Sequence, residues 1–287
     1  MSIILSQSDS KGAQKVEDPK VALVTGVSSG IGLATAKKLL ERRFHTFGTI
    51  RETSHPGQLA AGLEIVRLDI RDDESVSAGV QEVLDRAGRI DALINNAGSV
   101  IFGSLEETSI DEAKELFETN FFGVLRMCQA VLPIMRQQRQ GRIVNISSVL
   151  GFLPAPFMGI YAATKHAIEG YSESLDHEVR RFGIRVSVIE PGFTRTNLNQ
   201  NSQLIRQPLE EYSAERSRAH AAVAKSIANG AEPATVASVV VAALTSRSPR
   251  LRYPGGREAR FLALLKKFAP QGLLDKGLRK QFGLETD

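Results

Sequence analysis

The chain has 287 residues, of which 42% are apolar and 24% charged, and its formal net charge is +4. This length allows one large domain or two small ones, and the composition is ordinary for a soluble globular protein. A net charge this small gives no reason to expect a nucleic-acid partner, and the single cysteine, Cys128, excludes an intrachain disulfide and indicates a reducing compartment.

The chain begins with a polar segment. Residues 1–19 contain one short apolar run followed by polar residues, which predicts a flexible tail in place of a signal peptide or a membrane anchor. No stretch approaches the roughly 20 apolar residues that a membrane-spanning helix requires. We therefore expect a cytoplasmic protein whose folded part is one domain over residues 20–287.

The first strand and helix enclose a glycine-rich turn. The run VALVTG (21–26) is β-rich, and residues 31–43 have helical periodicity. Gly26, Gly30 and Gly32 lie where a tight turn and a helix N-terminus together bind a pyrophosphate. The sequence therefore predicts a dinucleotide site, to which Ser28, Ser29 and Ile31 also contribute.

The same turn matches a second pattern. GVSSG fits G-x-S-x-G, the turn that carries the nucleophile of serine hydrolases, and this match would make Ser28 a nucleophile. That motif normally follows a strand in the middle of a sheet, whereas here only a polar tail precedes the strand. A serine hydrolase is therefore the less favoured alternative.

The second strand, HTFGTIR (45–51), ends where such sites distinguish their dinucleotides. An acidic residue about 20 positions after the glycines binds the ribose 2′-hydroxyl of NAD, and it would repel the 2′-phosphate of NADP. Arg51 stands 19 residues after Gly32 and can form charge-assisted hydrogen bonds to that phosphate. NADP(H) is the predicted cofactor, and Glu52, one residue later, leaves NAD(H) as the alternative.

Strands and helices alternate through the next part of the chain. Further β-rich runs cover 64–70, 91–98, 142–148 and 185–192, and residues 73–87 and 109–138 have helical periodicity. Several runs are continuously apolar, which is typical of strands buried on both faces. The alternation predicts an α/β fold, a doubly wound parallel sheet of Rossmann type with helices on both faces.

One helix carries a tyrosine and a lysine one turn apart. Apolar residues recur at helical spacing from Ile168 to Phe182, which predicts a helix over 161–182. Tyr161 and Lys165 lie about 40° apart on this helix. We expect the ammonium to lower the pKa of the Tyr161 phenol, so that the phenol exchanges protons near neutral pH. The alternative is a surface lysine beside an unrelated tyrosine.

The chain resembles the short-chain dehydrogenase/reductase family. The resemblance rests on the glycine turn, the tyrosine–lysine pair and five further motifs. The motifs are LDI (68–70), NNAG (95–98), TNFFG (119–123), NISS (145–148) and PGFTRT (191–196). The resemblance runs from about Lys20 to Thr196, and the chain looks most like the 17β-hydroxysteroid dehydrogenase-like members. It implies further cofactor contacts at Asp69, Ile70, Asn96, Ala97, Gly98, Pro191, Gly192, Thr194 and Thr196, besides Tyr161 and Lys165.

The resemblance also implies catalytic roles. Tyr161 would be the general acid in ketone reduction and the base in alcohol oxidation. Ser148, 13 residues before it, would bind the substrate oxygen. Lys165 would hold the nicotinamide ribose, and Asn120 would hold a water that links Lys165 to solvent. Three alternatives stay open for single residues: substrate contact by Ser147, a helix kink at Asn120 and a strand end at Asp69.

The last third of the chain is less regular. Residues 195–232 are expected to form a lid over the substrate, RYPGG (252–256) an edge strand, and residues 252–287 a C-terminal extension. Apolar side chains there favour a bulky apolar substrate; they are Leu198, Leu204, Leu209, Phe261 and Leu265. Lysines beside the apolar residues of this extension leave contact with an anionic membrane surface as an alternative to a helix packed over the substrate mouth.

The sequence thus predicts an enzyme that transfers a hydride between NADP(H) and a ketone or secondary alcohol. The alternatives are an NAD-dependent dehydrogenase of the same fold, the serine hydrolase and a non-enzymatic dinucleotide-binding regulator. The resemblance further implies a homodimer or homotetramer, formed through the helices at 109–138 and 161–182. No metal site is expected, because the five histidines form no ligand motif and one cysteine cannot build a zinc site.

Overall fold

The computed structural model describes residues 19–53, 58–196 and 203–284, so the tail predicted over residues 1–19 lies outside them except for Pro19. The strands in this part are β1 (Val21–Val24), β2 (His45–Ile50), β3 (Glu64–Arg67), β4 (Ala92–Asn95), β5 (Ile101–Phe102), β6 (Gly141–Ile146), β7 (Ile184–Glu190), β8 (Gln203–Leu204) and β9 (Arg252–Pro254). The α-helices are α1 (Gly30–Glu41), α2 (Asp73–Ala87), α3 (Ile110–Phe117), α4 (Gly123–Gln138), α5 (Gly159–Val179), α6 (Ser213–Ala228), α7 (Pro233–Thr245), α8 (Arg257–Phe268) and α9 (Gln271–Gln281).

Seven of the described strands form one parallel sheet in the order β3-β2-β1-β4-β6-β7-β9. The order reverses between β1 and β4, which lie side by side with Leu23 opposite Leu93. This is the doubly wound Rossmann-type fold that the sequence predicted, and it forms a single domain. Ligands of such sheets bind beyond the carboxyl ends of the strands at the point of reversal.

The central strands are buried on both faces, as their apolar runs predicted. Along β1, Val21 and Leu23 pack with α2, α4 and α5, whereas Ala22 and Val24 pack with α1 and α7. The apolar stripe of α5, from Ile168 to Val179, is buried in the first of these two cores. The sheet and the helices therefore hold the loops at the carboxyl ends of the strands in fixed positions.

The long helix predicted over 109–138 is interrupted. A capping box between Ser109 and Glu112 begins α3, and a π-helical turn at Glu118–Phe122 separates α3 from α4. π-helical turns within α-helices are rare and occur often at functional sites. This turn contains Asn120, which is 1% exposed.

The chain after β7 covers one end of the sheet. β9 is an edge strand, as predicted, and pairs with β7. β8 pairs in parallel with β5, a contact that the sequence did not predict, and it ties the expected lid to the loop after β4. Within the described ranges, no helix is long and apolar enough to cross a membrane.

Candidate active site

The glycine turn connects β1 to α1 at the point where the strand order reverses. Gly26 and Gly30 have φ angles of 70° and 60°, which favour glycine. A Cβ on Gly32 would overlap the carbonyl oxygen of Gly26 and the amide of Asn96. Ser29 precedes α1 and makes no side-chain cap hydrogen bond, so the first N–H groups of the helix stay available. The turn therefore fits a pyrophosphate group.

The segment after β4 braces this turn. The Asn96 amide donates to the carbonyl oxygens of Thr25 and Gly26 at 2.9 and 3.0 Å. The Thr25 hydroxyl accepts from the N–H groups of Asn96 and Ala97 at 2.9 and 3.0 Å. The Asn96 side chain thus holds the turn in shape, and Asn96, Ala97 and Gly98 all line the cavity beside it.

The β2 end of the cavity carries two arginines. Arg51 and Thr49 line the cavity, whereas Glu52 is absent from its wall. Arg71, which no sequence motif indicated, also lines it and forms a bidentate ion pair with Asp69, donating from Nε to Oδ1 and from Nη2 to Oδ2. This pairing lowers the pKa of the Asp69 carboxyl. The cavity therefore has a positively charged end, with one acid bound to its own arginine.

Tyr161 and Lys165 lie on the first turns of α5, and each is 7% exposed. The Lys165 ammonium donates to the carbonyl oxygen of Ile146 at 2.9 Å and lies 5.6 Å from the centroid of the Tyr161 ring. Ser148 hydrogen-bonds with the Tyr161 hydroxyl. The predicted triad of serine, tyrosine and lysine is therefore gathered on one wall of the cavity.

The expectation that Lys165 lowers the pKa of Tyr161 is wrong for the chain by itself. Burial raises the pKa of Tyr161 to about 12, and the hydrogen bond with Ser148 opposes that shift. Burial also lowers the pKa of Lys165 to about 8, against the opposing effect of Glu169. Desolvation of both groups outweighs their attraction, so the phenol holds its proton at neutral pH.

The two serines of NISS have different surroundings. Ser148 lies beside Tyr161, whereas the Ser147 hydroxyl is buried and has no hydrogen-bond partner among the described residues. The same Ser147 hydroxyl would overlap a Cβ placed on Gly151. This geometry favours Ser148 over Ser147 as the contact to a substrate oxygen.

Asn120 links two segments behind the cavity wall. Its amide donates to the Ser99 carbonyl oxygen at 2.9 Å and to the Thr164 hydroxyl at 3.2 Å, and its carbonyl oxygen accepts from the Ser99 N–H. Its neighbour Thr119, and not Asn120, lines the cavity. The π turn thus fastens the loop after β4 to α5, and the role of Asn120 in binding a water stays a prediction.

The whole cavity has a volume of about 550 Å³, and the end of it that lies away from the glycine turn is mainly apolar. Leu265 lines it as predicted, but Leu209 and Phe261 do not and are 37% and 62% exposed. Leu198 and the side chain of Leu204 lie outside the described part of the chain. The wall is completed by side chains from α6, α8 and α9 and the residues after α9: Val223, Ile227, Leu262, Leu274, Leu278 and Phe282.

The loop after β7 closes the cavity between these two ends. Pro191, Gly192, Thr194 and Thr196 all line it, as predicted. The Thr194 hydroxyl donates to the Gly192 carbonyl oxygen at 3.1 Å. The carboxylate of Glu258, on α8, would be 2.7 Å from a Cβ on Gly192. The glycine therefore lets α8 approach this loop.

A buried acid cluster that no sequence motif indicated lies near Lys165. Glu169 and Glu190 are 6% and 4% exposed. The Arg252 guanidinium lies 2.9 Å from Glu169, 2.8 Å from Glu173 and 3.9 Å from Glu190. The sequence did contain a signal for this cluster, the i, i+4 spacing of four residues. It puts them all on one face of α5: Tyr161, Lys165, Glu169 and Glu173.

We expect Glu190→Gln to change how stability depends on pH. Burial, together with the charge of Glu169, raises the pKa of Glu190 from 4.5 to about 7. The folded state then binds more protons than the unfolded state between these values, so wild-type stability falls as pH rises through this range, by about 3 kcal/mol from this group. The glutamine variant should lose that decline, as measured by urea unfolding at pH 5 and pH 8.

The matched control is Glu178→Gln, which changes an exposed carboxyl on the same α5. Its pH dependence should run parallel to that of the wild type. A parallel course for Glu190→Gln as well would contradict the assignment.

The fold and this cavity define a class, the oxidoreductases that use a nicotinamide dinucleotide. The model of the family described as short chain dehydrogenase matches residues 20–206. The chain belongs to the short-chain dehydrogenase family, whose members act on alcohol or ketone groups.

Two relatives illustrate the similarity in sequence. A 3-ketodihydrosphingosine reductase of Bacteroides thetaiotaomicron is 36% identical over 265 residues, which cover 91% of this chain and 97% of that protein. Retinol dehydrogenase 8 of Bos taurus is 40% identical over 185 residues, which cover 61% of this chain and 59% of that protein.

Solved structures show the same fold. A short-chain dehydrogenase from Streptomyces avermitilis has a TM-score of 0.79 at 34% identity, covering 94% of this chain and 99% of that one. A Burkholderia phymatum enzyme in complex with NAD has a TM-score of 0.75 at 26% identity, covering 87% and 94%. A Burkholderia cenocepacia enzyme in complex with NADP has a TM-score of 0.72 at 25% identity, covering 91% and 98%. These likenesses support a nicotinamide cofactor.

Proposed function

We propose that this protein reduces a bulky apolar ketone, or oxidises the corresponding secondary alcohol, with NADP(H) as cofactor. The observation that carries the proposal is the arrangement of one cavity. Its wall joins the glycine turn and Arg51 at one end to Ser148, Tyr161 and Lys165, and then to an apolar end.

The described residues fit a dinucleotide at that site. The open N–H groups at the start of α1 and the glycines would receive the pyrophosphate. Ser28, Ser29 and Ile31 line the same turn, and Asp69 and Ile70 line the wall near Arg51. When bound, the nicotinamide would supply or accept a hydride. Lys165 and the loop from Pro191 to Thr196 would hold the nicotinamide half.

Side chains of this protein would donate the proton to the substrate oxygen and stabilise the negative charge that develops on it. Tyr161 holds its proton at neutral pH because burial raises its pKa to about 12, so it is in the protonated state that donation to a ketone oxygen requires. Ser148 would donate a second hydrogen bond to that oxygen as negative charge develops on it. In alcohol oxidation the Tyr161 phenol would first have to give its own proton to solvent, and its oxygen would then accept the proton of the alcohol. Asn120 would support the connection from Lys165 to solvent.

The apolar end of the cavity supports the choice of substrate. Leucine and phenylalanine side chains from α8, α9 and the residues after α9 would remove an apolar substrate from water. The names of the two relatives above denote a ketone and an alcohol as their substrates. A panel of ketones and secondary alcohols, assayed with NADPH, NADH and their oxidised forms, tests the proposal. Faster turnover of a sugar or a small keto acid than of any apolar ketone would refute it.

The preference for NADP(H) over NAD(H) is supported by the residues at the end of β2. Arg51 lines the cavity and Glu52 does not, so the arginine is better placed to meet a ribose 2′-phosphate. An NAD-dependent dehydrogenase is the alternative, and one solved relative of similar fold was determined with NAD.

We expect Arg51→Ala to weaken the binding of NADPH far more than that of NADH. Loss of one charged hydrogen-bonded contact costs roughly 1.5–3 kcal/mol. Dissociation constants of both dinucleotides, measured by calorimetry, check this difference. Arg71→Ala is the comparison, because Arg71 is held by Asp69 and its loss should affect both cofactors alike. If Arg51→Ala weakened the binding of NADPH and NADH equally, Arg51 would not be the residue that binds the 2′-phosphate.

The remaining alternatives have less support. Ser28 lines the cavity, but the described residues of that wall include no histidine that could act as its base. A regulator without activity would not need the buried tyrosine–lysine pair. The cytoplasmic location, the lid role of residues 195–232 and assembly as a homodimer or homotetramer stay predictions from the sequence.

A further inference from the structure

The last two helices, α8 and α9, have two different faces. Their inner face carries leucines that line the cavity. Their outer face carries four large apolar side chains that are 60–72% exposed: Phe261, Leu264, Phe268 and Leu273. Leu273 also lies at the rim of the cavity. Half of the eight large apolar side chains found to be exposed in the described residues are on these two helices.

The excess of positive over negative charge in the chain lies on the same helices. Residues 257–284 contain seven arginines and lysines against two acidic residues, whereas the whole chain has a net charge of +4. On α8, Arg257, Arg260 and Lys267 lie within about 60° of the exposed Leu264 around the helix at 3.6 residues per turn. The Lys267 ammonium lies 5.3 Å from the centroid of the exposed Phe268 ring.

The two acidic residues do not interrupt this face. Glu258 lines the cavity, and its carboxylate lies next to Gly192. Asp275 is two residues after Leu273 on α9 and therefore about 200° away around the helix. By contrast, Lys276 and Lys280 follow Leu273 at the i+3 and i+7 positions, on its own side.

We propose that this basic apolar face is a docking surface for an anionic lipid bilayer. It comprises Phe261, Leu264, Phe268 and Leu273 with Arg257, Arg260, Lys267, Lys276 and Lys280. Helices that bind in the plane of a membrane interface combine apolar side chains with lysines and arginines in this way, and anionic headgroups attract the cations. At 12 and 11 residues, α8 and α9 are too short to span a bilayer and suit contact parallel to its surface.

Docking in this orientation places the cavity rim at the membrane. Since Leu273 belongs both to the exposed set and to the cavity wall, the face that meets the lipid adjoins the apolar end of the cavity. An apolar substrate dissolved in the bilayer would then reach the site without crossing water. The docking itself does not depend on the proposed reaction.

The test is co-sedimentation of the full chain with two kinds of vesicle, phosphatidylcholine alone and phosphatidylcholine mixed with phosphatidylglycerol. We expect binding to the anionic vesicles, weakened by added salt. The double variant Phe261→Ser/Phe268→Ser should lower the partition coefficient at least about tenfold, because two side chains no longer enter the interface. The double variant Arg260→Gln/Lys267→Gln should lose the preference for the anionic vesicles.

A matched control changes two equally exposed apolar side chains elsewhere. Leu105 and Ile110 are 64% and 72% exposed, but their neighbours in the sequence are Glu106, Glu107, Asp111 and Glu112. Leu105→Ser/Ile110→Ser should leave vesicle binding unchanged. Wild-type protein that stays in the supernatant with anionic vesicles would overturn the proposal.

A second copy of the chain is the competing occupant of this face. Sedimentation velocity without lipid distinguishes it: a smaller assembly for Phe261→Ser/Phe268→Ser, with unchanged vesicle binding, would assign the face to self-association and overturn docking on lipid. Because vesicle binding is measured without substrate or cofactor, failure of the proposed reaction would leave this result unaffected.

Discussion

Replacing Tyr161 by phenylalanine is expected to lower turnover of the ketone by about 10²-fold or more, the usual contribution of a positioned general acid. The ring and its packing are retained, and the hydroxyl beside Ser148 is lost. Lys165 keeps its hydrogen bond to the Ile146 carbonyl oxygen, and the glycine turn is unchanged. Steady-state kinetics, with dinucleotide affinity measured by calorimetry, should therefore show a loss in kcat at nearly constant cofactor affinity.

Tyr171→Phe is the control on the same helix. Tyr171 packs against the core between the sheet and the helices α2, α4 and α5, and it hydrogen-bonds with the buried Cys128. It does not line the cavity. Its loss should leave kcat close to that of the wild type. Near-full activity of Tyr161→Phe would disprove the proposed role of the phenol.

Arg252→Met is expected to destabilise the fold by about 3 kcal/mol at neutral pH, because it leaves buried carboxylates without their cation. The side chains of Glu169 and Glu190 are 8% and 5% exposed, and Arg252 is the cation between them. The loss should be smaller at pH 5 than at neutral pH, since burial raises the pKa of both carboxyls and protonation removes their charge. Urea unfolding at the two pH values measures it.

Arg86→Met is the control for that substitution. Arg86 is 37% exposed, close to the 41% of Arg252, and also pairs with two carboxylates. Its partners Glu64 and Glu82 are 34% and 45% exposed, so the loss should stay below about 1 kcal/mol. Equal losses for the two variants would show that burial of the acids does not govern the effect.

The parts that the sequence predicted correctly are those determined by local spacing. Apolar runs and turn glycines specify the strands and the reversal of their order, and the motifs that carry Ser148, Tyr161 and Lys165 bring all three to the cavity that the glycine turn also lines. Motif order was sufficient because each residue stands at the end of a strand or on the first turns of a helix, where a parallel sheet brings such positions together.

The parts that the sequence did not predict depend on contacts between distant segments. The pKa of Tyr161 is set by burial under the loops, and spacing on a helix does not report that burial. Arg252 meets Glu169 across 83 residues of sequence, so no local pattern pairs them. Phe261 and Leu265 share one helical segment, and the packing of α8 decides which of them reaches the cavity.

The π-helical turn at Glu118–Phe122 has a consequence for how this gene tolerates insertions and deletions. Such a turn holds one more residue than the α-helical turn that it replaces. Loss of a single codon there would therefore convert it to regular helix and leave α3 and α4 seated on the sheet. Asn120 would then no longer reach Ser99 and Thr164. We therefore expect the fold to survive a change in length that the site would not, so that a reading frame shortened by one residue at this point would encode a stable protein with a disconnected site.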